Sequence, residues 1–202
     1  MKILAIVATR RKKGLITKIT SKVLEGAKSS NHETELINLY DYRIEYCLGC
    51  WGCVRKGVCV LHDDFNLIFE KVKEADMLIL SSPTYWSNVS GIMKSFFDRQ
   101  CGLAMSHSEG KMIFGKQLPI GFGPKTEMKG KKAILITACT TPFLFNFIMD
   151  ESRNVIRARH HYTRKIKAKV ISKIIYTDSR FLNIKSKHDK YLHKAYAIGK
   201  KL

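Results

Sequence analysis

Long apolar runs are missing from this 202-residue sequence. None approaches the roughly 20 consecutive apolar residues of a membrane-spanning helix. The apolar Ile3–Ala8 stands before the basic Arg10, Arg11, Lys12 and Lys13, the reverse of a secretory signal. The expectation is a cytoplasmic protein with no membrane contact. Acids are also scarce: 17 Asp and Glu against 36 Lys and Arg leave a net charge of +19. The imbalance is steepest from Arg153 to Leu202, where fifteen basic residues face only Asp178 and Asp189. Such a segment is either a solvated surface or a docking face for an acidic partner. No nucleic-acid module accompanies it, so nucleic acid is not an expected partner. There is no Ser/His/Asp constellation, no carboxylate pair placed for hydrolysis, no internal repeat and no linker. With 45% hydrophobic and 26% charged residues, residues 1–202 are expected to form a single globular domain.

What the sequence does have is a cysteine run. Cys47, Cys50, Cys53 and Cys59 follow the spacing C-x2-C-x2-C-x5-C, with Gly49, Gly52 and Gly57 between them. Thiolates this close can converge on one inorganic core, and quartets of thiolates hold both iron–sulfur clusters and zinc. Zinc sites usually pair two C-x2-C knuckles across a longer stretch. Here that stretch is absent, and His62 comes only after the run. In a cytosolic setting metal or redox chemistry is favoured over a structural disulfide. Cluster, zinc, labile disulfide and bare thiols remain open from the residues alone. Cys101 and Cys139 are solitary and read as buried small hydrophobes.

Strands and helices alternate. Lys2–Ala8, Thr34–Leu39, Asp76–Ser82, Lys132–Ala138 and Val170–Tyr176 read as strands, short and continuously apolar where central. Gly14–Lys28, Asp63–Glu74 (with Asp63 as N-cap), Ser90–Cys101, Phe145–His161 and Ser186–Lys200 read as helices. The alternation predicts an α/β flavodoxin-like three-layer sandwich: a five-stranded parallel sheet of order 2-1-3-4-5 with helices on both faces. Residues from about 103 to 130 make an unusually long connection, expected to be a lid or an oligomerisation arm.

In that topology the loops after the first, third and fourth strands meet at one edge, where ligands of such sheets bind. The first loop runs into a helix whose free N–H groups favour a phosphate, with Thr9 and Arg11 at its mouth. It is not a glycine-rich fingerprint, since only Gly14 is present. The second loop, Pro83-Thr84-Tyr85-Trp86-Ser87-Asn88, sets two aromatic rings beside backbone amides, which suits a planar heteroaromatic ring. Asp98-Arg99 is expected to form a local ion pair, with reach to a neighbouring subunit as the alternative. Phe143 is the best candidate for a pocket wall, with Phe145, Phe147 and Met149 mostly core. A joint metal site at His160-His161 is not expected, because adjacent helical residues point apart.

The pattern Ser82-Pro83-x-Tyr85…Ser90-Gly91-x-x-Lys94-x-Phe96-x-Asp98-Arg99 resembles the signature of the flavodoxin-like NAD(P)H-dependent FMN reductases. Together with the four cysteines and Asp63-Asp64, it is most similar to their iron–sulfur flavoprotein branch. The likeness runs from Lys2 to about Ala138. It implies FMN with its phosphate near Thr9, Arg11, Ile16 and Thr17. The ring would then lie along Pro83, Thr84, Tyr85, Trp86 and Asn88, with its far side against Cys139, Thr140 and Thr141. It also implies a 4Fe–4S cluster on Cys47, Cys50, Cys53 and Cys59, and assembly into a homodimer or homotetramer. The implied activity is electron transfer from NAD(P)H or a reduced carrier, such as an acidic ferredoxin-like protein, to an acceptor. No catalytic side chain is required, because the flavin carries the chemistry. The competing expectation is a non-enzymatic flavin- or redox-binding regulator that contacts an acidic partner.

Overall fold

The computed structural model describes residues 1–106, 111–114, 116–118, 123–179 and 184–202. Five parallel strands form one sheet: Lys2–Val7, Glu33–Asn38, Met77–Pro83, Lys132–Ala138 and Lys169–Tyr176, numbered β1 to β5 in that order. Their spatial order is β2-β1-β3-β4-β5. The flavodoxin-like arrangement expected from the alternation is therefore present.

Period-two alternation splits each central strand between two cores. Ile3, Ala5 and Val7 of β1 pack with Ile79, Ile134 and Ile136 against helix Leu15–Ser29 and the terminal helix Ile184–Lys200. Leu4 and Ile6 pack with Leu78, Leu80 and Leu135 against helices Phe65–Glu74, Gly91–Ala104 and Glu151–Lys165. Continuous burial of the central strands is why they read as unbroken apolar runs. On the first face, a Cβ at Gly26 would run into the Tyr196 carbonyl, and one at Gly199 into that of Val23. These two glycines let the helix backbones touch.

Two expectations fail locally. Phe145–His161 is not one helix: Phe143–Met149 and Glu151–Lys165 are separated at Asp150, which is left-handed at φ 56°. Asn146, itself buried, accepts from the Ser152 amide at 2.9 Å, while the Asp150 carboxylate takes Arg153 and Arg157 at 3.0 and 3.1 Å. These local bonds replace helical ones and turn the chain. Nor is Asp63 the N-cap of helix Phe65–Glu74. That helix starts at Phe65 after Asp64, whose side chain makes no capping bond.

Within the long connection, Met105–Ser106 pairs antiparallel with Gly123–Pro124, and Lys111–Ile113 with Lys116–Leu118. Of the expected lid or arm, residues 107–110, 115 and 119–122 lie outside the described residues.

Candidate functional site

Buried hydroxyls tie the three loops into one shelf. The Ser90 amide donates to Ser82 Oγ at 2.9 Å, and Ser90 Oγ donates to the Ala8 carbonyl at 3.1 Å. Thr20 and Ser81 hydroxyls meet at 2.7 Å. Thr137 Oγ1 donates to the Ser82 carbonyl at 2.9 Å, and the Thr84 amide to that of Ala138 at 3.0 Å. The loops after β1, β3 and β4 are thus fixed to one another by groups that water cannot compete for. Thr20 and Ser81 escape sequence reasoning, because isolated hydroxyls among apolar residues carry no pattern, and Ser82 and Ser90 stand in the sequence pattern without showing this bonding role.

The first loop closes tightly before its helix. The Gly14 amide donates to the Arg11 carbonyl at 2.8 Å, and a Cβ on Gly14 would lie 2.8 Å from that same oxygen. Gly14 is the N-cap, and no side chain caps the following amides. Those N–H groups are left for an anion. Thr9 is buried and its Oγ1 accepts from the Arg11 amide at 3.3 Å, while Asn38 Nδ2 donates to the Thr9 carbonyl at 2.8 Å. Arg11 is exposed and makes no ion pair among the described residues. Thr17 Oγ1 donates to the Arg11 carbonyl at 3.4 Å. Ile16 is core, so only its amide can serve a ligand.

The second loop is a two-residue turn. Tyr85 and Asn88 exchange both backbone hydrogen bonds, at 2.9 and 3.0 Å. The two central residues, Trp86 and Ser87, both have positive φ, 49° and 56°. Such turns normally use Asn-Gly. A tryptophan here is strained and fully exposed, at 100%. Asn88 Oδ1 accepts from the Val89 amide at 2.8 Å, which leaves its Nδ2 as the available donor. On the opposite side, Cys139 is buried, and burial pushes its thiol up to about 11. Thr140 is exposed, and Thr141 donates to Glu151. Phe143 stands 70% exposed beside this loop. Phe145 and Met149 are exposed rather than core, and the side chain of Phe147 lies outside the described ones. The shelf suits FMN: free amides with a nearby arginine for the phosphate, aromatic faces with an amide donor for the ring.

Beneath the shelf lies Arg159, fully buried on helix Glu151–Lys165. Its Nη1 donates to the Leu80 carbonyl, in the middle of β3, at 2.8 Å and to that of Ile136, toward the end of β4. Nη2 has no hydrogen-bond partner among the described residues. Burial pushes its pKa down to about 9, which leaves it charged at neutral pH.

The cysteine run forms a second unit against helix Gly91–Ala104. Its two ends are joined where the Arg43 and Glu45 amides donate to Asp64 and Asp63, each at 2.8 Å. Asn66 holds Cys59 through both backbone groups, at 3.0 and 2.9 Å. Gly49, Trp51 and Gly57 all have positive φ, and a short helix, Gly52–Lys56, carries Cys53. The expected local Asp98–Arg99 pair does not form. Asp98 pairs with Lys94 at 2.5 Å, and Arg99 turns inward to Asp63, where both side chains are completely buried. Arg99 Nη2 donates to Asp63 Oδ1 at 2.8 Å and to Cys59 Sγ at 3.1 Å, and the guanidinium lies 4.3 Å over the Phe65 ring. Burial alone would lower the Arg99 pKa, but the hydrogen bonds to Asp63 and Cys59 outweigh it and raise it.

Cys47, Cys50, Cys53 and Cys59 line one pocket of about 210 Å³. Cys101 lines it too and is exposed, not a buried hydrophobe. Gly102 permits the approach, since a Cβ there would collide with Cys53 Sγ. Among the described residues no three Cys, His, Asp or Glu side chains converge as one metal ion requires. The quartet expected from the sequence therefore lines one pocket without its side chains converging as a metal-binding group.

The sequence profile of the NADPH-dependent FMN reductases matches residues 1–145. An iron–sulfur flavoprotein of Archaeoglobus fulgidus is 40% identical over 99 residues, 49% of this chain and 48% of that relative. The chain spans about half the length of the curated relatives it first matches. An NAD(P)H:quinone oxidoreductase from Methanothermobacter marburgensis shares the fold with a TM-score of 0.73 at 17% identity, covering 99% of this chain and 96% of that one. An FMN-dependent NADH-azoreductase from Bacillus anthracis, solved with FMN, gives 0.69 at 15% identity, covering 99% and 98%. At these identities the solved structures speak for the fold alone. No helix among the described residues is long and apolar enough to cross a membrane.

Proposed function

The chain belongs to the NADPH-dependent FMN reductase family, and from that premise we propose that it is an FMN-dependent oxidoreductase with a 4Fe–4S cluster beside the flavin. The observation that carries this reading is the shelf itself: three strand-end loops locked together by buried hydroxyls, with uncapped helix amides at one end and exposed aromatic rings at the other. When bound there, FMN supplies hydride and electron chemistry between a reduced nicotinamide or carrier and an acceptor.

The protein's own residues bind and orient. The amides of residues 15–17, Arg11 and Thr9 receive the phosphate. Pro83, Thr84, Tyr85, Trp86 and Asn88 set the ring plane, with Asn88 Nδ2 donating to its polar edge. Cys139, Thr140 and Thr141 close the far side. Cys47, Cys50, Cys53 and Cys59 hold the cluster, with Arg99 donating to the Cys59 sulfur.

Two surfaces bear on partners. Helix Phe143–Met149 leaves Phe143, Leu144, Phe145, Ile148 and Met149 more than half exposed near the shelf. A second copy of the chain covers such a face in a homodimer or homotetramer. The basic carboxyl-terminal segment suits an acidic, ferredoxin-like donor, and its contribution to electron-transfer rate should fall steeply with salt.

An optical spectrum tests the reading. Purified protein should be yellow, with its flavin bands bleached by NADH or NADPH under anaerobic conditions. A colourless protein that cannot be reconstituted with FMN overturns the assignment and favours a non-enzymatic regulator. Iron and sulfide assay after anaerobic reconstitution tests the cluster independently.

A further inference from the structure

We propose that a second binding site, distinct from the flavin shelf, lies between helices Gly91–Ala104 and Glu151–Lys165 and takes a small, flat, apolar anion. A cavity of about 580 Å³ opens there, within the roughly 300–1,000 Å³ typical of small-molecule pockets.

Its floor offers carbon. The Phe97 ring stacks on Tyr162 at 4.4 Å and 9°, and Ala158 and Ile166 extend the apolar surface. The polar atoms of that floor are committed to one another. The Tyr162 hydroxyl donates to Gln100 Oε1 at 2.5 Å, and Gln100 Nε2 donates to the Phe96 carbonyl at 3.1 Å. Burial also keeps that phenol protonated.

Its rim carries positive charge. Lys94 is neutralised by Asp98, but Lys165 has no ion-pair partner among the described residues, and the His161 ring stands one helical turn before it. A ligand complementary to both parts has a planar carbon body and one acidic group. Asn88 of the flavin loop lines one part of the cavity. Trp51 and Cys101 line it as well and are shared with the cysteine pocket. The cavity therefore borders both the flavin loop and the cysteine pocket, and binding in it does not require that either cofactor be present.

Isothermal titration calorimetry of the full chain with 2-naphthoate, with and without saturating FMN, tests the site. One molecule per chain should bind saturably in both conditions. Lys165→Glu should weaken 2-naphthoate about tenfold, the scale of one charge-assisted contact, while leaving the neutral 2-naphthalenemethanol unchanged. Ala158→Trp should abolish both without altering FMN binding. Absence of saturable binding, displacement by FMN, or equal affinity in Ala158→Trp would overturn the proposal. So would Ala158→Trp splitting an oligomer in sedimentation, because the cavity would then be a subunit contact.

Discussion

Arg99 grips the Asp63 carboxylate with both terminal nitrogens while donating to the Cys59 sulfur at 3.1 Å. One side chain on the helix after β3 thus anchors the last cysteine of the run and the residue that closes the run's base.

Arg99→Gln leaves the Asp63 charge buried without its partner. Breaking a buried pair from one side costs about 3–5 kcal/mol, whereas replacing both partners by apolar residues costs much less. Urea unfolding should show Arg99→Gln strongly destabilised and the Asp63→Leu/Arg99→Met double variant nearer wild type. A single variant as stable as wild type would contradict the clamp.

The same pair sets an acid limit. Burial alone would raise the Asp63 pKa, but hydrogen bonds from Arg99 and from the Glu45 and Phe65 amides hold it below the usual carboxylate value. With the folded pKa below the unfolded one, the contribution is complete above the ordinary carboxylate pKa of about 4. It is lost as the pH falls through the depressed folded value. The stability gap between wild type and Asp63→Asn should therefore be constant from pH 7 to 5 and narrow in stronger acid, read by urea titration at each pH.

Gly102→Val should expel Cys53 from its position, because even a Cβ collides with that sulfur. Anaerobic reconstitution should then load much less iron and sulfide than wild type, with FMN binding kept. Iron loading equal to wild type would remove Gly102 from the account of the pocket.

In the turn Tyr85–Asn88, the strain at Trp86 and Ser87 is of order 1–3 kcal/mol for each residue held in a sparsely populated conformation. Replacing Trp86-Ser87 by Asn-Gly should raise the melting temperature yet weaken FMN binding in a fluorescence titration. Unchanged FMN affinity would show that the aromatic ring at 86 does not hold the flavin.

Ile148→Glu places a charge on the exposed apolar face of helix Phe143–Met149. Sedimentation should show smaller species than wild type, with the monomer still folded by circular dichroism. An unaltered sedimentation profile would mean that this face is not a subunit contact.

The sheet and the meeting of three loops were legible in the sequence, because unbroken apolar strands punctuated by chemically loaded loops leave few topologies. The cysteine run was legible for the same local reason. Arg99 and Asp63 were not: their adjacency depends on packing between segments 36 residues apart. The break at Asp150 was hidden because a left-handed aspartate lacks glycine's signal, and the apolar pattern continues across it. Periodicity marked Phe145 and Met149 as apolar, but it does not say whether such a face meets the chain's own core or lies outside it. Cys101 was misjudged similarly, since a lone cysteine gives no hint that its helix faces four others.

Arg159 adds a quieter consequence. Its guanidinium is fastened to carbonyls in the middle of β3 and toward the end of β4, with no counter-ion among the described residues. At neutral pH a negative charge gained at the loop edge of the sheet is therefore met by a cation shielded from solvent, before any side chain has to move.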